Sequence, residues 1–144
     1  MLVVRWWVVA KPSKWRWSEL FETGKIDFRI GRIEKYFPQL KVGDTVVGYE
    51  SAPTRRLAAL ATVSKPFGVH AEDAPASFEL LPLLQLPQGL THDELFTDPV
   101  LSKSLPMRIR NQGTLFPLSE AESEQLLQRL TISDPAVGRW LSKK

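Results

Sequence analysis

A chain of 144 residues with 43% hydrophobic content is the size of one ordinary domain and can bury a real core. It has no cysteine and only two histidines, His70 and His92, which excludes disulfides, a thiol nucleophile and cysteine-based zinc, and leaves little material for histidine acid–base or metal chemistry. The net charge of +3 is unevenly spread: residues 1–67 hold twelve Lys/Arg against six Asp/Glu and residues 68–144 seven against ten, so the N-terminal half either faces a polyanion or wears an uneven solvated surface.

No run of about 18 apolar residues occurs, so no membrane span is expected. The apolar start, Leu2–Ala10, is broken by Arg5 and lacks a small-residue cleavage site, so it does not read as a signal peptide and a cytoplasmic location is expected.

In chain order, the β-branched and aromatic run Leu2–Val9 predicts a strand buried on both faces. Pro12, which cannot donate to a ladder, closes it. In the next segment Ser18 is the expected N-cap of a short helix, with Glu19 and Glu22 in its first turn, Leu20 and Phe21 on its apolar face and Gly24 as its stop. Residues 26–30 alternate weakly. Ile33, Tyr36 and Phe37 fall at helical spacing and predict a short helix over 32–37 ended by Pro38.

Lys41–Asp44 reads as a turn into a strand at Thr45–Tyr49. The polar turn Pro53–Arg56 then leads to a second strand, Leu57–Val63, forming a hairpin. Phe67–Ser77 reads as a loop. Phe78–Leu86 contains Pro82 and predicts an edge strand or a bulge. Helical turns are expected at His92–Phe96 and Pro99–Lys103, a short strand at Met107–Arg110, a turn at Asn111–Gly113 and an extended piece at Leu115–Leu118. Ser119 and Glu122 have capping-box spacing and open a last helix whose stripe is Leu126, Leu127 and Leu130. Many short strands, few helices and no βαβ alternation predict an α+β chain, a small mixed barrel flanked by short helices.

The motifs of catalysis are missing from the sequence: there is no phosphate loop, no dinucleotide fingerprint and no Gly-x-Ser-x-Gly elbow. A binding domain is expected, with no catalytic residue, no metal and no cofactor. Four of the five tryptophans fall within the first 17 residues. Trp6 and Trp7 point to opposite faces of a strand, so they read as core. Trp15 and Trp17 interleave with Lys14 and Arg16, which suits base stacking with phosphate neutralisation, worth about 1–3 kcal/mol per base. They could equally plug the end of a barrel. A second set is Tyr49 and Ser51 with Arg55 and Arg56 in the following turn. A third is Arg108, Arg110, Asn111 and Gln112, where guanidinium forks can hold phosphate and amides can read a base edge. A sheet-edge tyrosine and ordinary polar turns account for both sets as well.

The series Val8–Pro12, Trp15–Arg16–Trp17, Gly31–Arg32, Lys41–Ser51 and Leu57–Val63, in that order, resembles EVE domains. It is most similar to those at the N-terminus of modification-dependent restriction ATPases. Met107–Leu118 and the helix after it resemble the closing strand and helix shared with the related YTH domains.

The resemblance implies a PUA-like mixed β-barrel over residues 1–133, with 134–144 as a tail or the start of a linker to a missing effector domain. It implies a reader of a methylated or hydroxymethylated base in double-stranded DNA, flipped into an aromatic pocket and partnered by an ATPase or nuclease. The alternatives are a modified base in single-stranded RNA or a free nucleoside. By position, Trp15 and Trp17 would form one wall, Tyr49 and Ser51 the end of another, and Gly31 and Arg32 the rim. Asn111 and Gln112 join this pocket on their amide chemistry, and Lys14, Arg16, Arg55, Arg56, Arg108 and Arg110 would hold phosphate. One departure stands out: some EVE domains have tryptophan before the Gly31–Arg32 pair, where this chain has Phe28 and Ile30.

Overall fold

The computed structural model describes residues 2–29 and 35–144. Its strands are β1 (Val4–Ala10), β2 (Ile26–Arg29), β3 (Thr45–Glu50), β4 (Arg56–Gly68), β5 (Ser77–Gln85) and β6 (Leu115–Pro117), and its helices α1 (Trp17–Thr23), α2 (His92–Thr97), α3 (Leu105–Arg108), α4 (Glu120–Ser133) and α5 (Pro135–Leu141). The strands form one mixed sheet in the order β2-β5-β4-β3-β1-β6, curled into a half-barrel. The fold is α+β and PUA-like, as the sequence predicts.

Strand β1 is buried on both faces, which is why its sequence runs apolar without alternation. Val4, Trp7 and Val9 pack with Leu60, Leu95, Leu126 and Val137 beneath the C-terminal helices. Trp6, Val8 and Ala10 pack on the other side with Trp17, Phe37 and Phe78. Each large apolar side chain so buried contributes about 1.5–3 kcal/mol. β1 runs parallel to β3, with Val8 opposite Gly48, and antiparallel to β6, with Trp7 opposite Phe116. The β3–β4 hairpin forms as expected. β2 covers β5 only from Ser77 to Leu80, so Pro82 lies on an open flank. The register slips between Leu60 and Ala61 opposite it, so the strand shows both an edge and a bulge.

Four expectations differ. Met107–Arg110 is not a strand: α3 takes its first residues, with Arg108 N–H donating to the Ser104 carbonyl at 3.0 Å. Four alternating residues fit one helical turn as well as a strand, and Pro106, its φ already helical, decides for the turn. α1 begins two residues earlier than a Ser18 cap would allow, with Arg16 at the cap position, Trp17 as its first residue and the Glu19 carboxylate accepting from the Arg16 N–H. The first half of the helix expected over 32–37 lies outside the described residues. Phe37–Gln39 forms a 3-10 turn that contains Pro38 rather than ending at it. The stretch after Asp134, expected as a tail, forms α5, and its Val137 is fully buried. The Asp134 carboxylate accepts from the N–H groups of Gln88 at 3.0 Å and Gly89 at 2.7 Å.

One buried carboxylate organises the helical side. Asp98 accepts from the N–H groups of Val100 (2.9 Å) and Leu101 (2.8 Å), from Gln125 Nε2 (2.7 Å) and from Arg129 Nη1 (2.7 Å), joining the turn after α2 to α4. Burial pushes its pKa up. The hydrogen bonds from Leu101, Gln125, Val100 and Arg129 outweigh burial and hold it below the ordinary aspartate value. A depressed carboxyl stabilises the fold above its unfolded pKa, near 4, and that stability is lost as pH falls through the lower folded value. Asp98→Ala is expected to cost about 3 kcal/mol in urea unfolding at neutral pH, and its stability should fall less than the parent's on acidification below about pH 4. Equal pH profiles for the two proteins would show that Asp98 is not the acid-sensitive group.

Candidate functional site

The site grows from two small residues. Gly48 on β3 and its cross-strand partner Ala59 on β4 leave room for the indole of Trp17. That ring is 1% exposed; its Nε1 donates to the Tyr49 carbonyl at 3.0 Å, and the Trp17 backbone N–H donates to Glu50 Oε1 at 3.1 Å. These contacts lock the start of α1 over the end of β3.

Beside the locked indole lies a pocket of about 350 Å³, near the lower end of the range for small-ligand sites. Arg16, Trp17 and Phe21 line it from the α1 side, Glu50 and Thr54 from the end of β3, and Arg56, Ala58 and Gln85 from β4 and β5. Glu50 is buried. Its Oε2 accepts from Thr54 Oγ1 at 2.6 Å and pairs with Arg16 Nη1 at 3.5 Å. Arg56 Nη1 donates to the carbonyls of Leu57 (3.1 Å) and Leu86 (2.8 Å), tying β4 to the end of β5. The pocket therefore offers a buried acceptor, a guanidinium and apolar wall.

The residues singled out from the sequence are distributed more widely. Trp17, Arg16 and Arg56 belong to the pocket. Trp15 is half-buried and meets Trp17 and Phe28 edge-on, with centroids at 4.7 and 4.8 Å, while Phe28 stacks on Phe78 at 4.8 Å. Phe28 thus belongs to an aromatic cluster filling the half-barrel. Tyr49 lies on the opposite face of the sheet, stacked on Trp7 at 5.7 Å. Burial pushes its phenol pKa up, partly offset by the positive charge of Arg55. Asn111 Oδ1 accepts from Trp7 Nε1 at 2.8 Å, so its amide oxygen holds a core indole. Ser51 anchors a turn, its N–H donating to the Ala10 carbonyl at 2.9 Å. Gln112, Lys14, Arg55, Arg108 and Arg110 are exposed. Gly31 and Arg32 lie outside the described residues.

Two of the cationic sets nonetheless converge. β1 and β3 are parallel, and the loop before β6 reaches the same end of the sheet, where Val9 N–H donates to the Thr114 carbonyl at 2.8 Å. The segments carrying Lys14 and Arg16 and carrying Arg55 and Arg56 both lead from that end and supply Arg16 and Arg56 to the pocket, while the segment with Arg108 and Arg110 precedes the pairing at Thr114 and contributes no lining residue.

Among the pocket residues that escape the sequence reading are Phe21, Glu50, Thr54 and Gln85. Glu50 carried a usable signal, because a carboxylate closing an apolar strand is costly unless something satisfies it. Gln85 is the amide that interrupts the apolar run Leu80–Leu86. Among the described residues no group of three His, Asp or Glu could hold a metal, and no helix is long and apolar enough to cross a membrane.

No family model and no curated protein matches this chain. Solved structures do. A hypothetical protein from Leishmania major aligns with a TM-score of 0.76 at 18% identity, over 88% of this chain and 94% of that one. Rpa0253 from Rhodopseudomonas palustris aligns with a TM-score of 0.76 at 16% identity, over 89% and 91%. Human THYN1, solved in complex with 5-methylcytosine-containing DNA, aligns with a TM-score of 0.68 at 15% identity, over 90% and 96%. At such identities the likeness carries the architecture, and that architecture is the EVE-like form of the PUA-like fold.

Proposed function

We propose that this chain is a DNA-binding specificity module, without chemistry of its own, that reads a methylated or hydroxymethylated base flipped from a duplex into the pocket beside Trp17. The observation that carries this reading is a pocket with a buried polar end, lined by Arg16 and Arg56 from two of the basic segments. The complex of human THYN1 with 5-methylcytosine-containing DNA supports the pairing of this fold with modified DNA.

Flipping a base costs a few kcal/mol of stacking and pairing. A buried methyl group returns only about 0.8 kcal/mol. Discrimination therefore rests on shape and on hydrogen bonds inside the pocket, or on several copies acting together. Lys14, Arg55, Arg108 and Arg110 supply sequence-independent, salt-sensitive affinity for the phosphates. We place the module in the cytoplasm within a modification-dependent restriction system, with residues 1–133 and the packed helix α5 as the reading domain and an ATPase or nuclease as its partner.

The test is binding of duplexes carrying N6-methyladenine, N4-methylcytosine, 5-methylcytosine or 5-hydroxymethylcytosine, against unmodified duplex and the matching RNA. One modified DNA is expected to bind several-fold more tightly than its unmodified control, with affinity falling steeply as salt rises. Equal affinity for all five duplexes refutes the reading, and preference for the RNA transfers it to RNA.

A further inference from the structure

We propose that Glu50 selects the exocyclic amine of the captured base, so that the pocket takes 5-methylcytosine and rejects thymine. This rests on the proposed reading of a flipped base and deepens it. The two bases share ring size and the 5-methyl group. They differ where cytosine presents an amino group and a bare ring nitrogen, and thymine a carbonyl and a ring N–H.

A carboxylate is an acceptor with about four lone-pair sites. At Glu50 three donors are in place: the Trp17 N–H on Oε1, the Thr54 hydroxyl on Oε2 and Arg16 at 3.5 Å. Among the described residues these are its donors, which leaves capacity for one more, and the residue lines the pocket. A cytosine amine supplies that donor, and carboxylates read this amine where proteins contact base edges. The thymine carbonyl would bring a second acceptor against a carboxylate already buried, where no water relieves the repulsion.

Arg56 stands directly across the β3–β4 ladder from Glu50. A guanidinium carries five N–H donors and Nη1 has only two of them, so among the described residues Nη2 and Nε remain for the ring nitrogen and 2-carbonyl that cytosine offers beside its amine. Acceptor and donor therefore stand in the order that matches a cytosine edge. Phe21, Ala58 and Leu86 supply apolar wall for the 5-methyl group. The Trp17 N–H and the Thr54 hydroxyl hold the Glu50 carboxylate before any ligand arrives, so its position is set by the fold.

The experiment uses duplexes in which the target base stands opposite an abasic position, so that pairing strength does not vary. The target is cytosine, 5-methylcytosine, thymine or 5-methylpyrimidin-2-one, which has neither 4-substituent. For the parent protein, 5-methylcytosine should bind at least about tenfold more tightly than thymine, with 5-methylpyrimidin-2-one between them. Glu50→Gln keeps an oxygen for the Trp17 N–H and adds a donor, so the ratio should collapse or invert; thermal melting checks that the variant is folded. Should that variant not fold, the four-base series on the parent protein decides alone. Equal affinity of the parent for 5-methylcytosine and thymine, or an unchanged ratio in folded Glu50→Gln, overturns the proposal. A preference for methylated over plain cytosine alongside such equality removes only this inference. No preference for any modified base removes the functional reading with it.

Discussion

Gly89→Ala is expected to destabilise the fold by about 3 kcal/mol or more, a large share of what holds an ordinary domain together. Gly89 is buried with φ at +60°, a left-handed conformation that an alanine adopts only under strain. A β-carbon there would overlap the carbonyl oxygen of Leu57, with the carbonyl carbon at 3.0 Å and Arg56 Nη1 at 3.2 Å. Neither side can yield cheaply. Leu57 belongs to β4 and its N–H donates to the Leu90 carbonyl at 2.8 Å, while the Gly89 N–H is held by Asp134. The clash therefore sets two hydrogen-bonded backbones against each other, beyond the usual range for an overpacked side chain. Urea unfolding measures the loss, and a cost below about 1 kcal/mol would mean that the loop has room to move.

Gly48→Ala is expected to cost about 1–3 kcal/mol and to weaken modified-DNA binding further than lost stability explains. The added carbon would strike the Trp17 indole, with Cδ2 and Cζ2 at 2.5 Å. The ring is held by its bond to the Tyr49 carbonyl, so moving it also moves the start of α1. Trp17 and Arg16 line the pocket, and Glu50 accepts from the Trp17 N–H, so a shifted helix reshapes the site. Gly43→Ala is the control: its φ is +92° but no atom lies within 4 Å of the added carbon, so it costs backbone strain and leaves the pocket alone. Binding measured well below both melting temperatures should fall for Gly48→Ala and hold for Gly43→Ala. If both variants bind like the parent, Trp17 does not shape the site.

The strands were legible wherever burial wrote a simple pattern. The apolar run of β1, interrupted at Arg5, records packing on both faces, and the Ser119–Glu122 capping box marks the start of α4. Local alternation misled at Met107–Arg110, where four residues cannot separate a strand from a helical turn. α5 escaped because its reason is distant: Asp134 is satisfied by Gln88 and Gly89, more than forty residues upstream. At the site, alternation along Thr45–Glu50 already puts Tyr49 on the opposite face from Gly48 and Glu50. Carried through, that rule separates the tyrosine from the pocket and brings in the glutamate. The burial of Trp17 was not legible, because its space comes from Gly48 and Ala59, residues that meet only once the hairpin has formed.

The two bonds at Asp134 make the last helix and the loop after β5 a single mechanical unit. That loop starts at Leu86 and Pro87, which border the pocket, and continues directly into Gln88 and Gly89. A pull on α5 is thus transmitted to the pocket margin without passing through the sheet, and whatever a ligand in the pocket does to the affinity of a partner on α5, that partner does to the ligand by the same free energy.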